Sequence, residues 1–375
     1  MKKLIAIAVV FALVAVGAAF ADTSVSGNIT ARAKLISDTL DEADPADGVT
    51  SGQIETAYVQ LSGQNDEGTF GGLARIRSND GSGVFHRAFA WWKPIPQLKI
   101  FLGQDKDGMF CPYNAWSFFQ GQEDYAHDFN NWENWRQGAG FLGNWDSFGA
   151  AISIYPVQGL EFNIVVPFGS DNNATKGFND VWLGSLQLAA SYAIPDIGKV
   201  FLNVVGPGED ISDDDKNANF GGLGFSFLLT AVEGLDVQLG FSTVIPGEQE
   251  DQPIHIGLIA NYGAGDFGVK FRSRFTIGGE AGYGKWDSYR EDGINIGVDV
   301  QPYYNLGVVR AFLNIGFVTD VVGDGDPVNR FSINPYIRKG MGPGDIRIGV
   351  LFIDPNLDAD NDAQISIPVM FSYSF

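Results

Sequence analysis

Basic side chains in this chain recur at every second position of otherwise apolar stretches. Lys270, Arg272 and Arg274 alternate with Val269, Phe271, Phe275 and Ile277. Arg75 and Arg77 oppose Phe70, Gly72, Ala74 and Ile76, while Arg32 and Lys34 oppose Val25, Ile29, Ala31, Ala33 and Leu35. Arg310 and Asn314 oppose Val309, Leu313, Ile315 and Phe317; Arg330, Asn334 and Arg338 oppose Phe331, Ile333 and Ile337. A period of two puts each basic set on one face of a β-strand and each apolar set on the other. Fixed cations along a wall attract anions. A second group of candidates lies in segment 106–147, which reads MFCPYNAWSFFQGQEDYAHDFNNWENW through its centre. It combines the carboxylates Glu123, Asp124, Asp128 and Glu133 with the aromatics Trp116, Phe118, Phe119, Tyr125, Trp132 and Trp135. Loops are normally polar and short, so a long aromatic one calls for a surface to pack on.

Other chemistry is weakly signalled. Asp358, Asp360 and Asp362 have the D-x-D-x-D spacing of calcium loops, but Ala363 stands where the glycine belongs and Val369 where the bidentate glutamate belongs. The EF-hand pattern therefore fails. The stretch reads as a solvated acidic loop, with a loose surface calcium ion as the alternative, and no other cofactor is expected. His86, His127 and His255 have no metal-ligand spacing. A barrel hydrolase needs a His beside a Ser nucleophile, no motif supports one, and the expectation is a non-enzyme. The single cysteine, Cys111, excludes an internal disulfide framework.

These residues are placed by strands. Aromatic content is 13%, hydrophobic content 45%, and glycine is abundant at 48 residues. Beyond the N-terminal region no stretch approaches the length of a transmembrane helix. Alternating segments instead read as eighteen strands: 23–37, 50–63, 69–78, 84–93, 98–105, 148–156, 160–168, 180–193, 199–206, 219–231, 235–245, 253–262, 267–278, 292–303, 307–320, 329–339, 345–353 and 364–375. Sixteen is the alternative, because the stretch from Trp135 to Ser147 reads equally as strand or loop. Connections alternate between short ones, such as Val157-Gln158-Gly159 and Val232-Glu233-Gly234, and long acidic ones, such as 38–49, 207–218 and 354–363. That alternation predicts an all-β, membrane-spanning, antiparallel up-and-down barrel with short turns at one end and long loops at the other. Trp92, Tyr155, Tyr192, Tyr262, Tyr303 and Tyr336 precede short turns and are expected to form an aromatic girdle at one interface. An arginine at mid-bilayer on the lipid face costs roughly 2–4 kcal/mol, so the basic face must point inward. The wall of a polar, water-filled lumen is predicted to carry Arg32, Lys34, Arg75, Arg77, Lys270, Arg272, Arg274, Arg310 and Arg338.

The ends of the chain agree. Met1-Lys2-Lys3, the apolar run from Leu4 to Ala18 and the small-x-small site Ala19-Phe20-Ala21 make a secretory signal peptide at 1–21, with one barrel domain expected over 22–375. The last strand reads QISIPVMFSYSF, with Ile365, Ile367, Val369, Phe371, Tyr373 and Phe375 on one parity. Stopping on an aromatic, it resembles the C-terminal assembly signal of bacterial outer-membrane β-barrels. With segment 106–147 following the fifth strand, the chain resembles a Gram-negative porin. The resemblance implies recognition of Phe371, Tyr373 and Phe375 by the barrel-assembly machinery, export through the periplasm to the outer membrane, and infolding of 106–147 as a pore constriction. A homotrimer is implied by the same resemblance.

The expected function is passive diffusion of small hydrophilic solutes and ions through a constricted lumen. The alternatives are a solute-selective channel, in which the aromatics of 106–147 form a track for sugars, and a surface adhesin or structural barrel with a closed lumen. A net charge of −21 argues against a nucleic-acid partner.

Overall fold

A computed structural model describes residues 22–39, 51–79, 82–105, 148–167, 186–205, 221–245, 254–277, 294–321, 327–354, 357 and 363–375. The candidates at 106–147, the aspartates 358, 360 and 362, and the leader 1–21 lie outside the described residues.

In the described part the chain forms nineteen strand segments. They are β1 (Asp22–Thr39), β2 (Ser51–Gln64), β3 (Phe70–Asn79), β4 (Ser82–Ile95), β5 (Leu98–Asp105), β6 (Phe148–Val157), β7 (Leu160–Pro167), β8 (Gln187–Ile194), β9 (Gly198–Val205) and β10 (Gly221–Val232). They continue with β11 (Leu235–Ile245), β12 (Ile254–Ala264), β13 (Phe267–Ile277), β14 (Ile294–Asn305), β15 (Arg310–Val321), β16 (Pro327–Met341), β17 (Gly344–Gly349), β18 (Leu351–Asp354) and β19 (Gln364–Ser374). Each strand from β1 to β16 pairs antiparallel with its sequence neighbours, β17 and β18 both pair with β16 and β19, and β1 pairs with β19, so the sheet closes on itself. Closure gives every strand two partners, the condition for a sheet in hydrocarbon.

Segments β17 and β18 are two halves of one crossing, so the barrel has the eighteen strands predicted and the sixteen-strand alternative falls away. The break has a local cause. Pro335 on β16 faces Val350 and has no N–H of its own, while the Val350 N–H donates to the Pro335 carbonyl at 3.0 Å. Short turns lie at 65–69, 96–97, 158–159, 195–197, 233–234, 265–266, 306–309 and 342–343, all at one end of the barrel. At 265–266 and 342–343 the tight reversal uses Gly265 (φ 61°) and Gly342 (φ 63°), a backbone region that favours glycine.

The two faces of the sheet are inverted relative to a water-soluble protein. Large apolar side chains stand exposed on the outer face: Leu239 is 53% exposed, Ile256 36%, Phe275 37% and Leu202 43%. The opposite parity is buried and polar: Arg274 and Asn334 are 0% exposed, and Ser226, Asn314 and Ser332 are likewise buried. Soluble proteins bury apolar residues and almost never bury unpaired charge. A continuous apolar outer surface with a polar interior suits lipid outside and polar material within.

The girdle follows this inversion only in part. Trp92, Tyr192 and Tyr262 are exposed on the outer face beside short turns, as expected. Tyr155, Tyr303 and Tyr336 carry the inward parity instead; Tyr336 is buried against Phe312 and Tyr303. Next to the last turn of β14 the outward aromatic is Tyr304. Position before a turn does not decide the face; parity does.

Candidate functional site

The inner wall is built from rows of side chains that the register lines up across neighbouring strands. The charged part begins on β13. Its odd positions meet lipid, so Lys270, Arg272 and Arg274 turn inward, opposite Asn261, Ile259 and Gly257 on β12 and Gln301, Asp299 and Gly297 on β14. Arg272 donates from Nε to Asp299 Oδ2 at 2.6 Å, and its Nη2 approaches the same oxygen at 2.5 Å; the two side chains are 7% and 0% exposed. Deep burial makes the pair a matched unit, because either charge left alone there is costly.

Further rows follow on β14, β15 and β16. Tyr303, Phe312 and Tyr336 are cross-strand neighbours, with the Phe312 and Tyr336 rings stacked at 4.6 Å and 5°. Gln301 Nε2 donates to the Tyr336 hydroxyl at 3.2 Å. The Asn314 amide and the Ser332 hydroxyl are buried and have no hydrogen-bond partner among the described residues. Toward the short turns, Arg310, Arg338 and Arg347 stand in a line across β15, β16 and β17.

A second charged arc lies on β2, β3 and β4. Arg75 donates from Nε and Nη2 to Gln60 Oε1, at 3.0 and 2.7 Å, and sits 4.4 Å from the Tyr58 ring centre. Arg77 faces Tyr58 across β2 in the same register, and Arg87 faces Arg75 across β4. On β1, Lys34 shares the inward parity of Asn28, whose amide donates to Ser372 and Ser374 hydroxyls. Arg32 lies opposite Met370 in the backbone register, and its side chain is outside the described residues.

Between the two arcs the inner wall carries an apolar patch. Ala151, Val165, Ala189, Phe201 and Leu228 form a buried cluster with Phe89 and Phe101 packed on it. These residues share parity with Ser153, Asn163, Ser191, Asn203 and Ser226, so the patch faces inward from β6 to β10. Lys99 lies 4.3 Å from the Trp91 ring and 4.7 Å from Phe101, and Lys199 lies 5.0 Å from Phe201. The two arginine-rich arcs are thus divided by an apolar patch that carries Lys99 and Lys199 on its rings.

Sequence parity missed four members of the wall. Asp345 and Arg347 alternate on β17 and were legible by the same rule. Asp299 was equally legible on β14, where it shares the parity of Gln301. Arg87 was hidden because a register shift between Arg75 and Ile76 moves its parity. The C-terminal signal residues Phe371, Tyr373 and Phe375 all face outward, and Phe375 bonds Gly27 through its backbone on both sides, at 2.8 and 3.0 Å.

No protein-family model matches the chain, and no curated protein matches it in sequence. Solved structures do match in shape. OpdQ of Pseudomonas aeruginosa superposes with a TM-score of 0.59 at 11% identity, covering 95% of this chain and 98% of that one. A BenF-like porin from Pseudomonas fluorescens Pf-5 gives 0.57 at 12%, covering 95% and 100%. Salmonella typhi OmpF, in complex with daunomycin, gives 0.53 at 14%, covering 94% and 97%. Coverage is nearly complete in both directions, so the likeness concerns the whole barrel and not one sheet. The chain therefore has the fold of the outer-membrane porin barrels.

Proposed function

We propose that the protein is an outer-membrane channel that lets small hydrophilic solutes and ions diffuse passively through its lumen. The observation that carries this reading is the inversion of the barrel: exposed Leu, Ile and Phe outside, buried Arg, Asn, Ser and Asp inside. A polar interior is what a water-filled path for polar solutes requires. The porin fold of the neighbours supports the same conclusion. In this setting the short turns face the periplasm and the long connections face outward.

The lumen is narrowed, in this reading, by segment 106–147. That segment leaves the end of β5 and returns at the start of β6, the strands on which the inward apolar arc begins. Its aromatics, Trp116, Phe118, Phe119, Tyr125, Trp132 and Trp135, match that arc, and its carboxylates, Glu123, Asp124, Asp128 and Glu133, complement the charged arcs. Arg272 is a weaker partner for them than its charge alone suggests, because Asp299 on the wall already engages it. Assembly through the C-terminal strand and a homotrimeric state belong to the same proposal.

Liposome swelling tests it. Vesicles carrying the protein are expected to swell in small sugars at rates that fall smoothly with solute mass and do not saturate. Saturation by one sugar would favour the solute-selective alternative, and no swelling with folded protein would favour the closed barrel. Removing 110–140 is expected to raise the size limit; an unchanged limit contradicts the constriction.

A further inference from the structure

The inner wall near the short turns carries an arrangement that passive conduction does not require. Arg310 on β15 is the direct cross-strand neighbour of Arg338 on β16, and Arg338 is the direct neighbour of Arg347 on β17. All three have the inward parity. Like charges directly opposite one another on a sheet repel. One carboxylate answers them: Asp345 accepts from Arg338 Nη2 through one oxygen and from Arg347 Nε through the other, both at 2.9 Å. Both of its oxygens are thus engaged by the second and third arginines.

Arg310 is held differently. Its Nε donates to Asn305 Oδ1 at 2.5 Å, and its guanidinium stacks 5.0 Å from the Tyr303 ring centre and 5.9 Å from Phe312. Among the described residues it forms no ion pair. Stacking and one bond fix the plane of the group, and the residue is exposed at the mouth, one residue after the turn at 306–309. An exposed guanidinium held through its Nε and over aromatic rings, next to a second arginine, is an arrangement that recognises oxyanions in two-pronged fashion.

We propose that Arg310 and Arg338, backed by Arg347 and Asp345, form an anion-binding site at the short-turn mouth. It takes the carboxylate or phosphate group of a permeating solute. The inference builds on the channel reading but does not depend on conduction for its test. The long connections at the opposite end are acidic in sequence, as at 209–215 and 358–362. An acidic outer mouth and a basic inner one would make an anion's residence unequal at the two ends.

Inorganic phosphate is the probe, titrated calorimetrically into detergent-solubilised full-length barrel, with acetate in a parallel run and single-channel current in phosphate as second readout. Saturable phosphate binding is expected, weakened about tenfold or more in Arg310→Gln, the size of a lost charge-assisted bond. Arg310→Lys keeps the charge without the fork and is expected to fall between. Lys339→Gln removes an outward charge at the same end and is the control. Heat-shifted gel migration shows that each variant is folded, and Arg338→Gln replaces Arg310→Gln should the latter not fold. Non-saturable binding, or equal loss in Lys339→Gln and Arg310→Gln, overturns the site. Arg310-dependent binding in a barrel that passes no current supports the site and overturns the channel reading instead.

Discussion

At Leu239 the residue scale separates the membrane account from any soluble one. The side chain is 53% exposed in the middle of β11. In water, replacing an exposed leucine with a charged residue changes stability by no more than about 0.5 kcal/mol. Facing lipid, Leu239→Arg is expected to cost roughly 2–4 kcal/mol. Denaturant unfolding in lipid vesicles measures the difference, and a neutral result would mean that the outer face does not meet hydrocarbon. Inside the wall the opposite sensitivity applies. Asp299→Ala leaves Arg272 buried without its partner and is expected to cost about 3–5 kcal/mol, whereas Asp299→Leu combined with Arg272→Met recovers most of the loss. The same unfolding experiment reads both; equal losses in the single and double variants would remove the pair from the account.

At the scale of elements, the seam between β1 and β19 is where the chain ends become one sheet. Gly27 exchanges two backbone bonds with Phe375, and a Cβ on Gly27 would stand 2.3 Å from the Phe375 ring. Gly27→Ile is therefore expected to reduce the yield of closed barrel, seen as a smaller heat-shifted band on gels, while the same exchange at Gly340, where a Cβ meets nothing, has little effect. Equal yields would place closure elsewhere. Most of this layer was legible in the sequence, because a period of two survives single-residue errors. The alternation from Val269 to Ile277 around Arg272 fixes the face of β13 whatever its ends. What was not legible depends on pairing between strands. The register shift that turns Arg87 inward and the meeting of Arg310, Arg338 and Arg347 on three strands are invisible until the register is known. The apolar arc was hidden for another reason: Val165, Phe201 and Leu228 look like lipid-facing residues until parity is read against Phe162, Leu202 and Phe225.

At the scale of the whole molecule, closure and inversion together give the protein its character. Eighteen strands closed on themselves leave no edge, an apolar band faces out, and on the inner wall two arginine-rich arcs flank an apolar patch. Such a division gives a solute different neighbours on different sides of the path, a transverse asymmetry that orients dipolar solutes. The central claim is that this interior conducts. It is tested most directly by the current through single barrels inserted in a planar lipid bilayer, in symmetric potassium chloride. The account predicts discrete, long-lived current steps proportional to voltage. Folded, inserted barrels that pass no current would contradict it.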